Sequence, residues 1–173
     1  MANEQLNPDP LMTNTNSSPA LHIQKHNSQL GPHFKTLNEE WLTRFFVVEP
    51  IDEYVLGNPD KIIAEGGQIL YASLNGEVVG CVALKHHGDG VYELTKMAVT
   101  QRCQAGGIGT ALMQACLAAF EELDGQQLYL ESHSSLAPAI KLYERFGFVR
   151  QPHPFESEYQ RSDYYMRYEP ESV

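Results

Sequence analysis

The sequence predicts a mixed α/β domain of the α+β type, with a central, mostly antiparallel sheet of about six to seven strands flanked by helices. Three observations predict it. Apolar, β-rich runs at Ile69 to Leu74, Val78 to Leu84 and Val91 to Val99 are joined by connections short enough only for hairpins. A glycine-rich turn at 104–109 opens a run with helical spacing. From there onward, strand and helix patterns alternate.

The elements follow in order. Residues 1–19 are rich in Asn, Pro, Ser and Thr without apolar periodicity, and such a segment cannot offset its ordering entropy; they read as a flexible polar tail before a single domain at 20–173. Ala20 to His26 alternates Leu21 and Ile23 with polar residues and reads as a first strand. After Thr36, the spacing of Leu37, Trp41, Leu42, Phe45 and Phe46 predicts a helix with a buried aromatic face and with Glu39 and Glu40 in its first turn. A second helical region between Ile51 and Ala64 is interrupted near Gly57-Asn58-Pro59 and stopped by Gly66-Gly67. Asn75-Gly76 suits a two-residue turn with positive φ between the first two central strands, and His87-Gly88-Asp89-Gly90 precedes the third. Ile108, Leu112, Cys116, Ala119 and Phe120 then mark a long helix that ends at Asp124-Gly125. Leu128 to Glu131 is a compact strand, Leu136 to Phe146 a helix stopped by Gly147, Phe148-Val149 the start of a further strand, and Tyr164 to Tyr168 a closing one.

Composition narrows the function. Twelve Lys and Arg against twenty-two Asp and Glu give a formal charge of −10, and no basic run interrupts it, so neither nucleic acid nor an anionic membrane surface is expected as a partner. No basic leader with an apolar core and no long apolar window is present, which predicts a cytoplasmic protein. Cys81, Cys103 and Cys116 are odd in number and lack histidines at ligand spacing, so reduced thiols and no metal are expected. His86-His87 does not alter this, because neighbours on a strand point to opposite faces.

The run Gln104-Ala105-Gly106-Gly107-Ile108-Gly109 carries the functional signal. A glycine turn leading from a strand into a helix aims unpaired N–H groups and the positive helix end at one point, which suits a phosphate. Glycines at 106, 107 and 109 let the backbone approach it, and Thr110 adds a hydroxyl. The alternative is that the glycines only permit close helix packing. A Walker A loop is ruled out by the absence of its Lys-Ser/Thr. A dinucleotide fingerprint, and with it an NAD(P)-dependent oxidoreductase, is disfavoured by Leu112 at the third glycine position and by hairpins where crossovers are required.

Taken together, Leu94-Thr95-Lys96-Met97-Ala98-Val99, Gln104 with Gly107 and Gly109, and Ala139-Ile140-Lys141-Leu142-Tyr143-Glu144-Arg145-Phe146-Gly147-Phe148 resemble the GNAT N-acetyltransferase superfamily, over roughly Ile69 to Tyr168. The resemblance implies a three-layer fold whose fourth strand splays from the fifth, with acetyl-CoA as cosubstrate and no metal. It implies that the main chain of Met97, Ala98 and Val99 lines the pantetheine arm. Gln104, Ala105, Gly106, Gly107, Ile108, Gly109 and Thr110 then hold the pyrophosphate, and an N–H near Ala98 or Val99 polarises the thioester. Gln104 replaces the commoner Arg, and Ala105 stands where many relatives have Gly. His133 takes the place of a frequent Asn and is either a pantetheine contact or a surface histidine.

The implied reaction is direct transfer of acetyl to a primary amine, from a small molecule, a lysine or a chain N-terminus. An alkyl ammonium near pKa 10.4 leaves about one molecule in two thousand nucleophilic at pH 7, so a base is needed. Glu93, on the splayed strand, is the candidate base through a water, or else an exposed glutamate in a cross-strand ion pair; a bulge in the strand decides which face it takes. Tyr143 matches the family tyrosine that protonates the departing thiolate, or else packs in the core with Ile140, Phe146 and Phe148. The family's acceptor pocket lies between the first helices and the last hairpin, where Trp41, Phe45, Glu49 and Asp52 would face Tyr159, Asp163 and Tyr164 and suit a cationic amine. A noncatalytic acyl-CoA sensor remains the alternative, and a homodimer is compatible with the sequence.

Overall fold

The structure, a computed structural model, describes residues 20–171. The tail read at 1–19 lies outside the described residues.

Seven strands form one sheet: β1 (Leu21–Lys25), β2 (Gln68–Leu74), β3 (Glu77–His86), β4 (Val91–Val99), β5 (Gln127–Ser132), β6 (Phe148–Gln151) and β7 (Tyr164–Tyr168). Their spatial order is β1-β2-β3-β4-β5-β7-β6. Every neighbouring pair is antiparallel except β4 with β5. That pair is parallel because the long helix α4 (Ile108–Glu122) connects them as a crossover. α1 (Gly31–Phe45), α2 (Pro50–Gly57) and α3 (Pro59–Ala64) lie between β1 and β2, and α5 (Ala137–Arg145) joins β5 to β6.

Two apolar layers sandwich the sheet. On one face Leu112, Met113 and Cys116 of α4 pack on Leu70, Val82, Leu94, Leu128 and Met166, with Leu142 and Tyr143 of α5 against the same layer. On the other, Phe34, Leu37 and Leu42 of α1 and Val55, Leu56 and Ile62 of α2 and α3 cover Ile69, Tyr71, Cys81, Ala83 and Ala98. At about 25 cal/mol per Å², fully burying one such side chain contributes ~1.5–3 kcal/mol, so these two layers dominate the stability.

The early helices depart from the sequence reading in detail. α1 starts at Gly31 with Pro32 in its first turn, so Glu39 and Glu40 fall in its interior. Its buried face is Phe34, Leu37 and Leu42, whereas Phe45 is 43% exposed. The apolar residues at 37, 41, 42, 45 and 46 spread over more than one face, and only burial selects among them. The expected hairpin turn is present, with φ of 51° at Asn75 and 82° at Gly76.

One irregularity positions the site. Cys81 pairs with Ala98 and Ala83 with Thr95, so β4 carries one more residue than β3 between the same two pairs, and Lys96 adopts φ 54°. This bulge resets the alternation. Before it, Tyr92 and Leu94 face α4 while Glu93 points the other way; after it, Met97 and Val99 face α4 and Ala98 faces α1. Glu93 therefore shares a face with Ala98 and not with Met97 or Val99.

Candidate active site

β4 and β5 pair only from Val91–Gln127 to Leu94–Leu130. Beyond Leu94 the strands part, and a cleft of about 350 Å³ opens between them. That size is within the range of small-molecule sites. Its walls are Thr95 to Val99 on one side and Glu131, Ser132 and His133 on the other, with Leu142 and Tyr143 of α5 and the glycine turn completing it. The β4 edge facing the cleft has no strand partner over Met97 to Val99 and offers its amides and carbonyls there.

At the glycine turn, Gly107 is the N-cap of α4 with φ 77°, and the first intrahelical bond runs from the Ala111 N–H to the Gly107 carbonyl. The amides ahead of Ala111 are left without intrahelical partners, and Gly107, Ile108 and Gly109 among them line the cleft. Ala105 also has a positive φ, 70°, so a side chain occupies a conformation that glycine takes without strain. Gln104 donates from its side chain to the Val99 carbonyl at 3.2 Å and braces the turn. Glu40 of α1 holds it from outside, accepting from the Gln101 N–H at 3.0 Å and the Thr100 hydroxyl at 3.1 Å.

Of the sequence candidates, Glu93, Met97, Ala98, Val99, Gln104, Ala105, Gly107, Ile108, Gly109, His133 and Tyr143 line this cleft, while Gly106 and Thr110 do not. The Ile108 side chain is buried in the core, so its contribution is its amide. His133 is held by its neighbour: its Nδ1 accepts from the Ser135 N–H at 3.1 Å and meets the Ser135 hydroxyl at 2.7 Å, an arrangement that places the ring proton on Nε2. Tyr143 is packed by Phe148, and burial pushes its phenol up to about 12, with a smaller push from Cys116. It is therefore a neutral O–H at physiological pH, the state a proton donor needs.

Glu93 is buried on the cleft floor, and its Oε2 pairs with His87 Nε2 at 2.9 Å. The exposed cross-strand ion pair is not what the structure shows. One strand over, Glu131, its side chain 8% exposed, meets His153 Nε2 and the Ser162 hydroxyl, each at 3.1 Å. In the sequence, Glu131 figured only as the end of a compact strand, and its place on the same face as Glu93 arises because the parallel pairing sets Tyr129 opposite Glu93.

The acidic acceptor wall predicted from Glu49 and Asp52 is corrected. Both carboxylates are consumed by cations: Lys96 donates to Asp52 at 2.6 Å, Arg161 grips Asp52 with two bonds of 2.7 and 2.8 Å, and Arg161 also reaches Glu49 at 2.9 Å. The Tyr159 ring lies against both cations, at 4.4 Å from Lys96 and 4.8 Å from Arg161. Trp41 and Tyr159 line the cleft as expected, but Phe45, Asp163 and Tyr164 do not, and Asp163 instead accepts from the Ser134 N–H and hydroxyl. Lys96 and Arg161 escaped the sequence reading because nothing local announces a salt bridge spanning forty-four or more residues.

Among the described residues no group of His, Cys, Asp and Glu is arranged to hold a metal ion, and no helix is long and apolar enough to cross a membrane.

Known proteins place this architecture. A family model described as "Acetyltransferase (GNAT) family" matches residues 34–148. An N-alpha-acetyltransferase from Sulfurisphaera tokodaii is 41% identical over 56 residues, 32% of this chain and 34% of that protein. Another from Sulfolobus acidocaldarius is 33% identical over 117 residues, 60% of this chain and 62% of that protein. The chain thus spans less than two thirds of the length of either relative. In three dimensions it is similar to an acetyltransferase of the GNAT family from Staphylococcus aureus, with a TM-score of 0.76 and 19% identity over 86% of this chain and 98% of that one. It is also similar to the PaiA N-acetyltransferase from Thermoplasma acidophilum in complex with coenzyme A, with a TM-score of 0.67 and 15% identity over 86% and 98% of the two chains. At such identities the structures speak to the fold alone. Because the family match runs from α1 to the first residue of β6, and so takes in the splayed strand, the glycine turn and α5, the chain belongs to the GNAT acetyltransferase family.

Proposed function

We propose that this domain transfers the acetyl group of acetyl-CoA to a primary amine by direct attack. The observation that carries the reading is the opening of the sheet's parallel pair beside a helix N-terminus, with Glu93 and Tyr143 both on the resulting cleft. The residues present fit the cosubstrate. The unpartnered edge of Met97 to Val99 matches the amides of a pantetheine arm, and the free N–H groups at Gly107, Ile108 and Gly109 match a pyrophosphate. With Gln104 turned to Val99, those backbone donors carry the phosphates. His133 borders the cleft across from β4, and Gly106 and Thr110 shape the turn.

Acetyl-CoA supplies an activated thioester. The protein then has three tasks: an N–H of Ala98 or Val99 polarises the carbonyl, Glu93 takes the amine proton through a water, and Tyr143 protonates the leaving sulfur. The acceptor enters past Trp41, Tyr159 and Arg161, where the buried charges are already paired, so the carboxylates that face it are Glu93 and Glu131. The names of the two archaeal relatives make the α-amine of a chain N-terminus the first acceptor to test. At a pKa of about 8, roughly one such amine in ten is free at pH 7, far more than for lysine.

The test is thiol release from acetyl-CoA with a panel of N-terminal peptides, lysine peptides, polyamines and amino acids. Release that depends on one acceptor class supports the reading and names the class. Tight binding of acetyl-CoA with no release across the panel would replace it with an acyl-CoA-binding module.

A further inference from the structure

Two carboxylate–imidazole pairs stand side by side on the acceptor side of the sheet: Glu93 with His87, and Glu131 with His153. With Glu93 as the base, the proton it takes needs a way out of the site. Proton balance makes this a real demand. An ammonium acceptor and acetyl-CoA become an amide, a free thiol and one proton. The C–N bond forms as the C–S bond breaks, one nitrogen proton replaces the one Tyr143 gives to sulfur, and the other must reach water in every turnover.

Glu93 cannot deliver that proton directly. Its side chain is only 6% exposed, and with acceptor and cosubstrate in place the cleft is its open side. His87 bridges the gap. It sits at the start of the turn after β3, at the end of the sheet, where its backbone N–H is fixed on the Val91 carbonyl at 2.8 Å. Its ring packs against Tyr129 with centroids 5.7 Å apart, its Nε2 touches Glu93, and 32% of its side chain remains exposed. One ring therefore joins a buried carboxylate to bulk water, and imidazole is the side chain that gains and loses a proton most readily near neutrality.

We infer that His87 is the proton exit of this site: it receives the acceptor's proton from Glu93 Oε2 on Nε2 and releases a proton to solvent. It acts through Glu93 and touches neither substrate, so it is a positioning and relay residue. The inference rests on the reading of Glu93 as base. When Glu93 is ionised, His87 donates from Nε2 and holds the carboxylate in place; once Glu93 is protonated, the ring shifts by exchange with water to the Nδ1–H tautomer, the bared Nε2 accepts the proton from Oε2, and Nδ1 releases one to solvent, which restores the starting state. The pair at Glu131 and His153 serves as an internal control, since it has the same chemistry on the neighbouring strand.

The experiment uses the full chain, acetyl-CoA and the fastest amine from the panel, and compares His87→Gln, His87→Ala, His153→Gln and Glu93→Gln by steady-state kinetics. Melting temperature and acetyl-CoA affinity are measured first, to establish that each variant is folded and binds. Glu93→Gln is expected to lose about 10²–10⁴-fold in kcat. His87→Gln, which can still hydrogen-bond Glu93 but cannot carry a proton, is expected to lose about 10-fold or more in kcat with KM for the amine unchanged, a smaller loss than that of the base itself. Added imidazole should restore much of the rate of His87→Ala and do nothing for Glu93→Gln, whereas His153→Gln should remain within about twofold of wild type. A slow Glu93→Gln beside full-speed His87 variants overturns the relay and leaves the base standing. Slow His87→Ala without imidazole rescue also overturns the relay, reducing His87 to a structural partner. If Glu93→Gln retains full activity, the base assignment falls, and the relay falls with it.

Discussion

Asp52→Asn is the substitution that most directly probes how the acceptor side is built. The Asp52 side chain is fully buried and accepts four bonds: one from Lys96, two from Arg161 and one from the Glu49 N–H. Burial alone would raise its carboxyl, but the bonds from Arg161, the charge and bond of Lys96 and the Glu49 amide outweigh it and hold the carboxyl at about 2, below the ordinary 3.8. The fall corresponds to about 2 kcal/mol at ~1.4 kcal/mol per pH unit. Burial lowers the Lys96 ammonium in spite of Asp52, which offsets part of that gain and makes the figure an upper one. Because the folded carboxyl lies below its unfolded value, this contribution is complete above pH 3.8 and is lost as pH falls toward 2. Replacing Asp52 removes the anion from two largely buried cations, and breaking such a cluster costs about 3–5 kcal/mol. For a chain of this size that lowers Tm on the order of 10 °C. Urea unfolding of wild type and Asp52→Asn at neutral pH measures the loss. Repeating both between pH 5 and the acid limit of folding measures the linkage, which should shrink the difference between them by up to about 2 kcal/mol. A neutral-pH loss under about 1 kcal/mol, or a difference that does not narrow with acid, would refute the view that Asp52 is the electrostatic centre of this wall.

Three further outcomes are expected. Tyr143→Phe should lower kcat by no more than about 10²–10⁴-fold with acetyl-CoA affinity intact; because burial pushes the phenol to about 12, no alkaline fall in wild-type kcat should be traceable to Tyr143 well below that pH. In the turn, Gly107→Ala meets no neighbour within 4 Å but must hold φ 77°, so calorimetry should show about 10-fold weaker coenzyme A binding and melting should show a loss of about 1 kcal/mol, whereas Ala105→Gly, relieved of φ 70°, should gain up to about 1 kcal/mol. Of the three thiols, Cys81 and Cys116 are buried and burial pushes both up, Cys81 to about 12, so a disulfide reagent should find Cys103 alone reactive in the native state, and coenzyme A should shield it because it lines the cleft. Two fast-reacting thiols would contradict this packing.

The order of strands and helices was legible because it is written in local terms. Period-two runs at β2, β3 and β4, the Asn75-Gly76 turn and the spacing from Ile108 to Phe120 each depend on residues within a few positions of one another. The cleft was legible for a different reason: Gln104 to Gly109 and the Tyr143 to Phe148 run carry a family pattern, and they mark the two ends of the site. Strand register was not legible. The bulge at Lys96 that turns Glu93 to the face shared with Ala98 follows from how β3 and β4 pair, and a one-residue change in pairing moves every later side chain to the other face.

By itself, then, the sequence determined the fold class, because short-range periodicity fixes it, and through a family pattern it pointed to the glycine turn, Glu93 and Tyr143 as candidates. Only the tertiary structure decided what the acceptor side is made of. Asp52 and Lys96 lie forty-four residues apart and Asp52 and Arg161 one hundred and nine, so the pairing that neutralises a wall the sequence makes look acidic exists only once α2, the β4 bulge and the loop before β7 are packed together. The same holds for Glu131, brought to the same face as Glu93 by the parallel pairing of β4 and β5. Charge on a side chain is local, but whether that charge remains available to a substrate depends on which distant groups folding places against it.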